Sequence, residues 1–190
     1  MSNGSGSGSI ELIIGCMYSG KTTEFIRRIR AYETLRLNMF IVTHTSDQRY
    51  AGEGHVATHN RHVVPAHHAT TRLMACVDLP RYKEAAVVFV EEAQFQPDLF
   101  DFCVLAANTH GKKVVVCGLD GDFQLNPFEQ VVRLIPHAEK VSKMYALCKM
   151  CGDGTPASFS KRMIASEERT LVGSEGVYEA VCRHHYYNSS

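Results

Sequence analysis

Four short apolar runs punctuate the first two thirds of the chain, at residues 10–15 (IELIIG), 40–42, 85–90 (AAVVFV) and 114–119 (VVVCGL). They are largely continuous rather than alternating, which is the pattern of strands covered on both faces. Between them the period changes. Over residues 20–36, Phe25, Ile26, Ile29 and Tyr32 share one helical face while Arg27, Arg28 and Arg30 point elsewhere. Pro97 opens a second helix that runs to about His110, where Gly111 is placed to stop it. A short helix is expected over residues 128–135, and the Gly-, His- and Thr-rich stretch 43–62 reads as a long loop. Strands alternating with helices predict an α/β fold: a parallel sheet covered by helices.

The pattern fades at both ends. Residues 1–9 form a Gly/Ser tail that is expected to be flexible. Beyond about residue 145 the text turns to Cys, Gly, Ser and short elements. The expected division is therefore tail 1–9, an α/β unit 10–144 and a small lobe 145–187, with no internal repeat.

Composition narrows the function classes. With 45% apolar and 21% charged residues the chain resembles an ordinary globular protein. Twenty Lys plus Arg balance twenty Asp plus Glu, so broad nucleic-acid binding through phosphates is not expected. The longest apolar run, 12–18, falls far short of a membrane helix, and no secretory signal is expected. Seven cysteines, an odd and scattered set, point to a reducing compartment, hence the cytoplasm. Cys103 and Cys117 lie in apolar runs as small buried hydrophobes.

Three groupings carry chemistry. Gly15-Cys16-Met17-Tyr18-Ser19-Gly20-Lys21-Thr22 fits GxxxxGK[ST], and it follows a strand and opens a helix. Backbone N–H groups of such a loop cradle phosphates at the helix's positive end. Lys21 would reach the β- and γ-phosphates, and Thr22 would offer its hydroxyl to Mg²⁺. Within this loop, Cys16 is either an exposed thiol activated by Lys21 or a thiol facing the core. Glu91 and Glu92 end the third strand at the sheet edge where ligands gather, one suited to the magnesium side and the other to a base. Cys148-x-x-Cys151 and Cys182-x-x-His185 have the bite of a closed, structural Zn²⁺ site, with His184 as an alternative fourth ligand. Six histidines between 44 and 68 read as part of a solvated loop, and Met144, Tyr145 and Leu147 as core packing.

The joint pattern resembles the zinc-bearing, cytosolic-type (type II) thymidine kinases from about Ile10 to Tyr187. Further matches are Ala93-Gln94-Phe95 after the acid pair, Asp47-Gln48-Arg49-Tyr50, Leu119-Asp120-Gly121-x-Phe123-Gln124, Lys161-Arg162, and Tyr178 four residues before Cys182. The resemblance implies ATP-dependent phosphorylation of the 5′-hydroxyl of thymidine, and of deoxyuridine, with Mg²⁺ carried by ATP. Glu92 takes the role of catalytic base, helped by Lys21 and Arg49, and Glu91 lies on the magnesium side with Thr22. Asp47 and Arg49 fall near the phosphoryl donor. Met17, Glu92, Gln94, Phe95, Leu119, Phe123 and Phe128 fall around the nucleoside. A lasso between the zinc pairs places Arg169, Thr170, Leu171, Val172, Gly173 and Tyr178 against the base. Loss of zinc is then expected to raise the nucleoside KM and to spare the ATP site. A homotetramer inhibited by thymidine triphosphate is also implied. Departures from the family pattern are Cys16 where Pro is common, Glu91 for Asp, His185 for a fourth Cys, and about two extra residues in 151–160. The rival readings are a P-loop ATPase, in which Glu92 activates water, and a zinc-ribbon nucleic-acid binder.

Overall fold

Strands that are apolar on both sides need cover on both sides, and the fold supplies it. The computed structural model describes residues 8–45, 55–57, 63–165 and 176–188. β1 (Ser9–Gly15) enters the phosphate loop, which opens α1 (Lys21–Glu33), and β2 (Met39–His44) follows. β3 (His55–Ala57) and β4 (Val63–Pro65) pair antiparallel, and β5 (His68–Thr70) lies alongside β2. α2 (Pro80–Glu84) leads to β6 (Val87–Val90), α3 (Leu99–Val104) to β7 (Lys113–Gly118), and α4 (Glu129–Val132) to β8 (Lys140–Met144).

The central sheet has the order β5-β2-β6-β7-β1-β8, and every pairing in it is parallel. Alternate residues divide its two faces. Ile10, Leu12, Ile14, Val88, Val90, Val114 and Val116 pack with Tyr82, Leu99, Phe102 and Val131 from α2, α3 and α4. Ile13, Ile41, Phe89, Val115 and Cys117 pack with Phe25, Ile26 and Ile29 of α1, and Phe25 meets Phe89 edge-on at 5.5 Å. Cys103 and Cys117 are buried as expected.

Two strands of the central sheet escaped the sequence pattern because both lie at its edges. β5 has only three residues, and β8 (KVSKM) is exposed or half-buried throughout, so neither writes an apolar run. The expected loop 43–62 is also interrupted: β2 continues to His44, and β3 occupies part of it. His59 and His62 lie outside the described residues, whereas His67 accepts the Ile41 N–H at 3.1 Å and packs on the sheet. At the end of β8, Met144 packs toward α1, but Tyr145 and Leu147 beyond it are 60% and 63% exposed. Backbone alternation turns them outward, which corrects the core assignment for those two. The second helix continues beyond α3 as a wide turn, Leu105–Thr109, and Gly111 stops it at φ 62°.

The C-terminal segment adds two small antiparallel pairs and a helix: β9 (Ala146–Leu147) with β10 (Pro156–Ala157), β11 (Phe159–Arg162) with β12 (Tyr178–Val181), then α5 (Arg183–Asn188). Among the described residues no helix is long and apolar enough to cross a membrane.

Candidate active site

Gly15 ends β1 beside Met144 of β8. Its φ is 143°, and an added Cβ would stand 2.2 Å from the Met144 carbonyl oxygen, so only glycine lets the loop leave the sheet here. Gly20, at φ 81°, then turns the chain into α1. Within the loop the Ser19 hydroxyl donates to the Cys16 carbonyl at 2.8 Å, and Lys21 Nζ donates to the same oxygen at 2.5 Å. Desolvation draws the Lys21 ammonium below the ordinary lysine value, opposed by Cys117, Cys16, Asp120 and Glu91.

Thr22, in the first turn of α1, points at the acid pair. Its hydroxyl donates to Glu91 Oε1 at 3.3 Å, while Thr43 at the end of β2 donates to Glu91 Oε2 at 3.4 Å. Glu91 is buried. These oxygens are the hard donors that Mg²⁺ prefers. Glu92 sits in the left-handed region at φ 51°, ψ 42°, a conformation that costs a non-glycine residue about 1–3 kcal/mol and is characteristic of functional positions. Its carboxylate accepts from Gln94 Nε2. The Leu119 N–H donates to the same carboxamide's Oε1 at 3.0 Å. Gln94, Phe95 and Phe128 line a cleft of about 690 Å³, together with Gln96, Asp122 and Asn126.

The C-terminal segment is hydrogen-bonded to the phosphate loop. The Met17 N–H donates to Ser160 Oγ at 2.9 Å, and Cys16 Sγ donates to the Ala157 carbonyl at 3.3 Å. Cys16 also packs with Ala146, Cys148, Ala180 and Val181. The exposed-thiol reading of Cys16 is thereby overturned: the residue is 4% exposed, and burial pushes its pKa up despite Lys21. The expected outcome is slow alkylation of Cys16 by iodoacetamide in the folded protein at neutral pH, with labelling only after unfolding. Peptide mass mapping checks it, and rapid labelling blocked by ATP contradicts it.

Cys148, Cys151, Cys182 and His185 converge, their ligand atoms all within 4.8 Å of one another. Cys151 and Cys182 sulfurs are 3.8 Å apart, and His185 Nδ1 lies 3.5, 3.4 and 3.4 Å from the three sulfurs. A tetrahedral zinc has S···S edges of about 3.8 Å and S···N edges of about 3.5 Å. The donors therefore fit zinc. His184 is excluded from the set: it is exposed and contacts Asn188.

A family model for thymidine kinase matches residues 8–186. The thymidine kinase of raccoon poxvirus is 42% identical over 181 residues, which is 95% of this chain and 98% of the relative. Those of vaccinia virus (strain Western Reserve) and variola virus are 40% identical over 182 residues, 96% of this chain and 98% of each relative. The chain belongs to the thymidine kinase family.

In this thymidine kinase family member the expected site residues fall into two connected sets. Lys21, Thr22 and Glu91 meet at the loop, with Glu92, Gln94, Phe95 and Leu119 just past the ends of β6 and β7; Phe128, which precedes α4, lines the cleft with Gln94 and Phe95. Met17 is bound to β11, while Phe123 and Tyr178 meet at Arg162. The Arg162 guanidinium stacks 3.7 Å over the Phe123 ring and donates to the Tyr178 hydroxyl at 2.6 Å. Asp47, Arg49, Arg169, Thr170, Leu171, Val172 and Gly173 lie outside the described residues. Sequence reasoning missed Thr43, Ser160 and the bridging part of Arg162. Lys161-Arg162 was visible only as a motif, and nothing local marked the other two.

Proposed function

We propose that this chain transfers the γ-phosphoryl group of ATP to the 5′-hydroxyl of thymidine, and of deoxyuridine. The observation that carries this reading is the meeting of the phosphate loop with the acid pair at one edge of the sheet, where Thr22 Oγ1 lies 3.3 Å from Glu91 Oε1. Membership in the thymidine kinase family supplies the substrate class.

Backbone N–H groups of the loop bind the phosphates at the start of α1. Lys21 neutralises charge on the transferring group. Mg²⁺ bound with ATP supplies further neutralisation, and Thr22 and Glu91 are the residues that would hold it. Glu92 accepts the proton of the 5′-hydroxyl as that oxygen bonds to phosphorus and the β–γ bridging oxygen leaves on ADP. Phe95, Phe128, Leu119 and Phe123 surround the nucleoside and exclude water from the transfer. Asp47, Arg49 and Arg169 to Gly173 keep the roles that the resemblance implies. Cys148, Cys151, Cys182 and His185 would hold Zn²⁺, which would fasten the lobe 145–187 against the nucleotide-binding unit 10–144. A cytoplasmic homotetramer under feedback by thymidine triphosphate completes the proposal. Cysteines that are all unpaired suit a reducing compartment.

The test is product analysis with a substrate control. Incubation with MgATP and thymidine should yield ADP and a 5′-monophosphate in equal amounts, by mass spectrometry and phosphorus NMR. Thymidine lacking the 5′-hydroxyl should yield neither. Phosphate on the 3′-oxygen contradicts the proposal.

A further inference from the structure

We infer that Gln94 is a positioning residue that fixes the carboxylate of Glu92, rather than a contact for the nucleoside. The inference rests on the assignment of Glu92 as the base. It starts from the two ends of one carboxamide. The Leu119 N–H can only donate, and it lies 3.0 Å from Gln94 Oε1. That partner settles which way the amide faces, so the NH₂ end must point to Glu92, where it donates to Oε2. A carboxylate can only accept, so both ends agree with one orientation.

The surroundings are shaped for that carboxamide. Gly118, the last residue of β7, faces it directly: an added Cβ would stand 2.8 Å from Gln94 Oε1 and 3.1 Å from Ala93 Cβ. Gly118 has no positive φ, so space for Gln94, not backbone freedom, is what glycine supplies there. Gln94 thus spans the ends of β6 and β7. Glu92 needs such a tie. Its left-handed backbone turns it away from the line of β6, and a mobile carboxylate would reach a sugar hydroxyl only part of the time. The bonds to Glu92 and from the Leu119 N–H together fix the orientation of the carboxamide, which is what a positioning role requires.

A double-mutant cycle tests this. Gln94→Leu should lower kcat for thymidine about tenfold, the scale of one lost hydrogen bond to a charged group. The KM for thymidine should stay within about twofold. In the Glu92→Gln background the same change should add less than about twofold, because its effect passes through Glu92. Gln94→Glu keeps the acceptor for Leu119 but sets a carboxylate against Glu92, and should lower kcat at least as much. Gly118→Ala, whose added methyl meets Gln94 Oε1 first, at 2.8 Å, should lower kcat in the same direction as Gln94→Leu. A rise in thymidine KM with unchanged kcat, or losses that multiply in a crippled Glu92→Gln enzyme, overturns the positioning role only. A Glu92→Gln enzyme of near-normal rate removes the base assignment, and the positioning role falls with it.

Discussion

Glu92→Gln should lower kcat for thymidine by about 10²–10⁴-fold, or about 3–5 kcal/mol of barrier, the usual range for general-base assistance. Glutamine keeps the size and hydrogen-bonding reach of the side chain and removes its basicity. A primary alcohol is a poor nucleophile while its proton has nowhere to go. Glu91 does not substitute, because it is buried and accepts from Thr22 and Thr43. Both KM values should therefore stay close to wild type, since the loss is confined to the transition state. Steady-state kinetics with both substrates varied checks this, and near-normal turnover by Glu92→Gln contradicts it. Glu91→Gln should instead weaken magnesium dependence and ATP binding.

Removing zinc should have the second large effect, and it should reach both substrates. Structural zinc contributes about 10–16 kcal/mol to the folding of isolated zinc-finger peptides, so Cys148→Ser or a strong chelator should melt the order of 145–187. The expectation from sequence was a raised nucleoside KM with the ATP site spared. Packing revises that expectation. Met17 and Cys16 of the phosphate loop are bonded to Ser160 and Ala157, and Cys16 packs in one cluster with Cys148. Loss of the Met17–Ser160 bond alone should raise the KM for ATP about fivefold, on the scale of about 1 kcal/mol per neutral hydrogen bond. Ser160→Ala should reproduce that part while retaining about one zinc per chain by elemental analysis, the stoichiometry of a closed four-ligand site. A metal-free protein with unchanged KM values for ATP and thymidine contradicts the account.

What was legible in the sequence was local. The phosphate loop is eight consecutive residues between a strand and a helix. The acid pair ends the apolar run of β6, and the zinc ligands come as two pairs with two-residue gaps. Each is written within a few positions, so spacing alone exposes it. What was missed is set by distance along the chain or by an edge. Met17 and Ser160 are 143 residues apart, and the serine carries no sign of its partner. Gln94 was visible as a site residue, but its tie to Leu119, 25 residues on, depends on β6 and β7 lying side by side. β5 and β8 border the sheet on one side only, so they carry no continuous apolar run. Tyr145 and Leu147 looked like core because they are apolar, but strand alternation settles their direction and hydropathy does not.

The central claim is that Glu92 and the phosphate loop serve a sugar hydroxyl and not water. The most direct measurement is the initial rate of ADP release from MgATP by the wild-type protein, with and without nucleosides in turn. Thymidine and deoxyuridine should each raise that rate far above the nucleoside-free background, and purine nucleosides should leave it at background. ADP released as fast without any nucleoside as with thymidine would contradict the account and make the protein an ATPase.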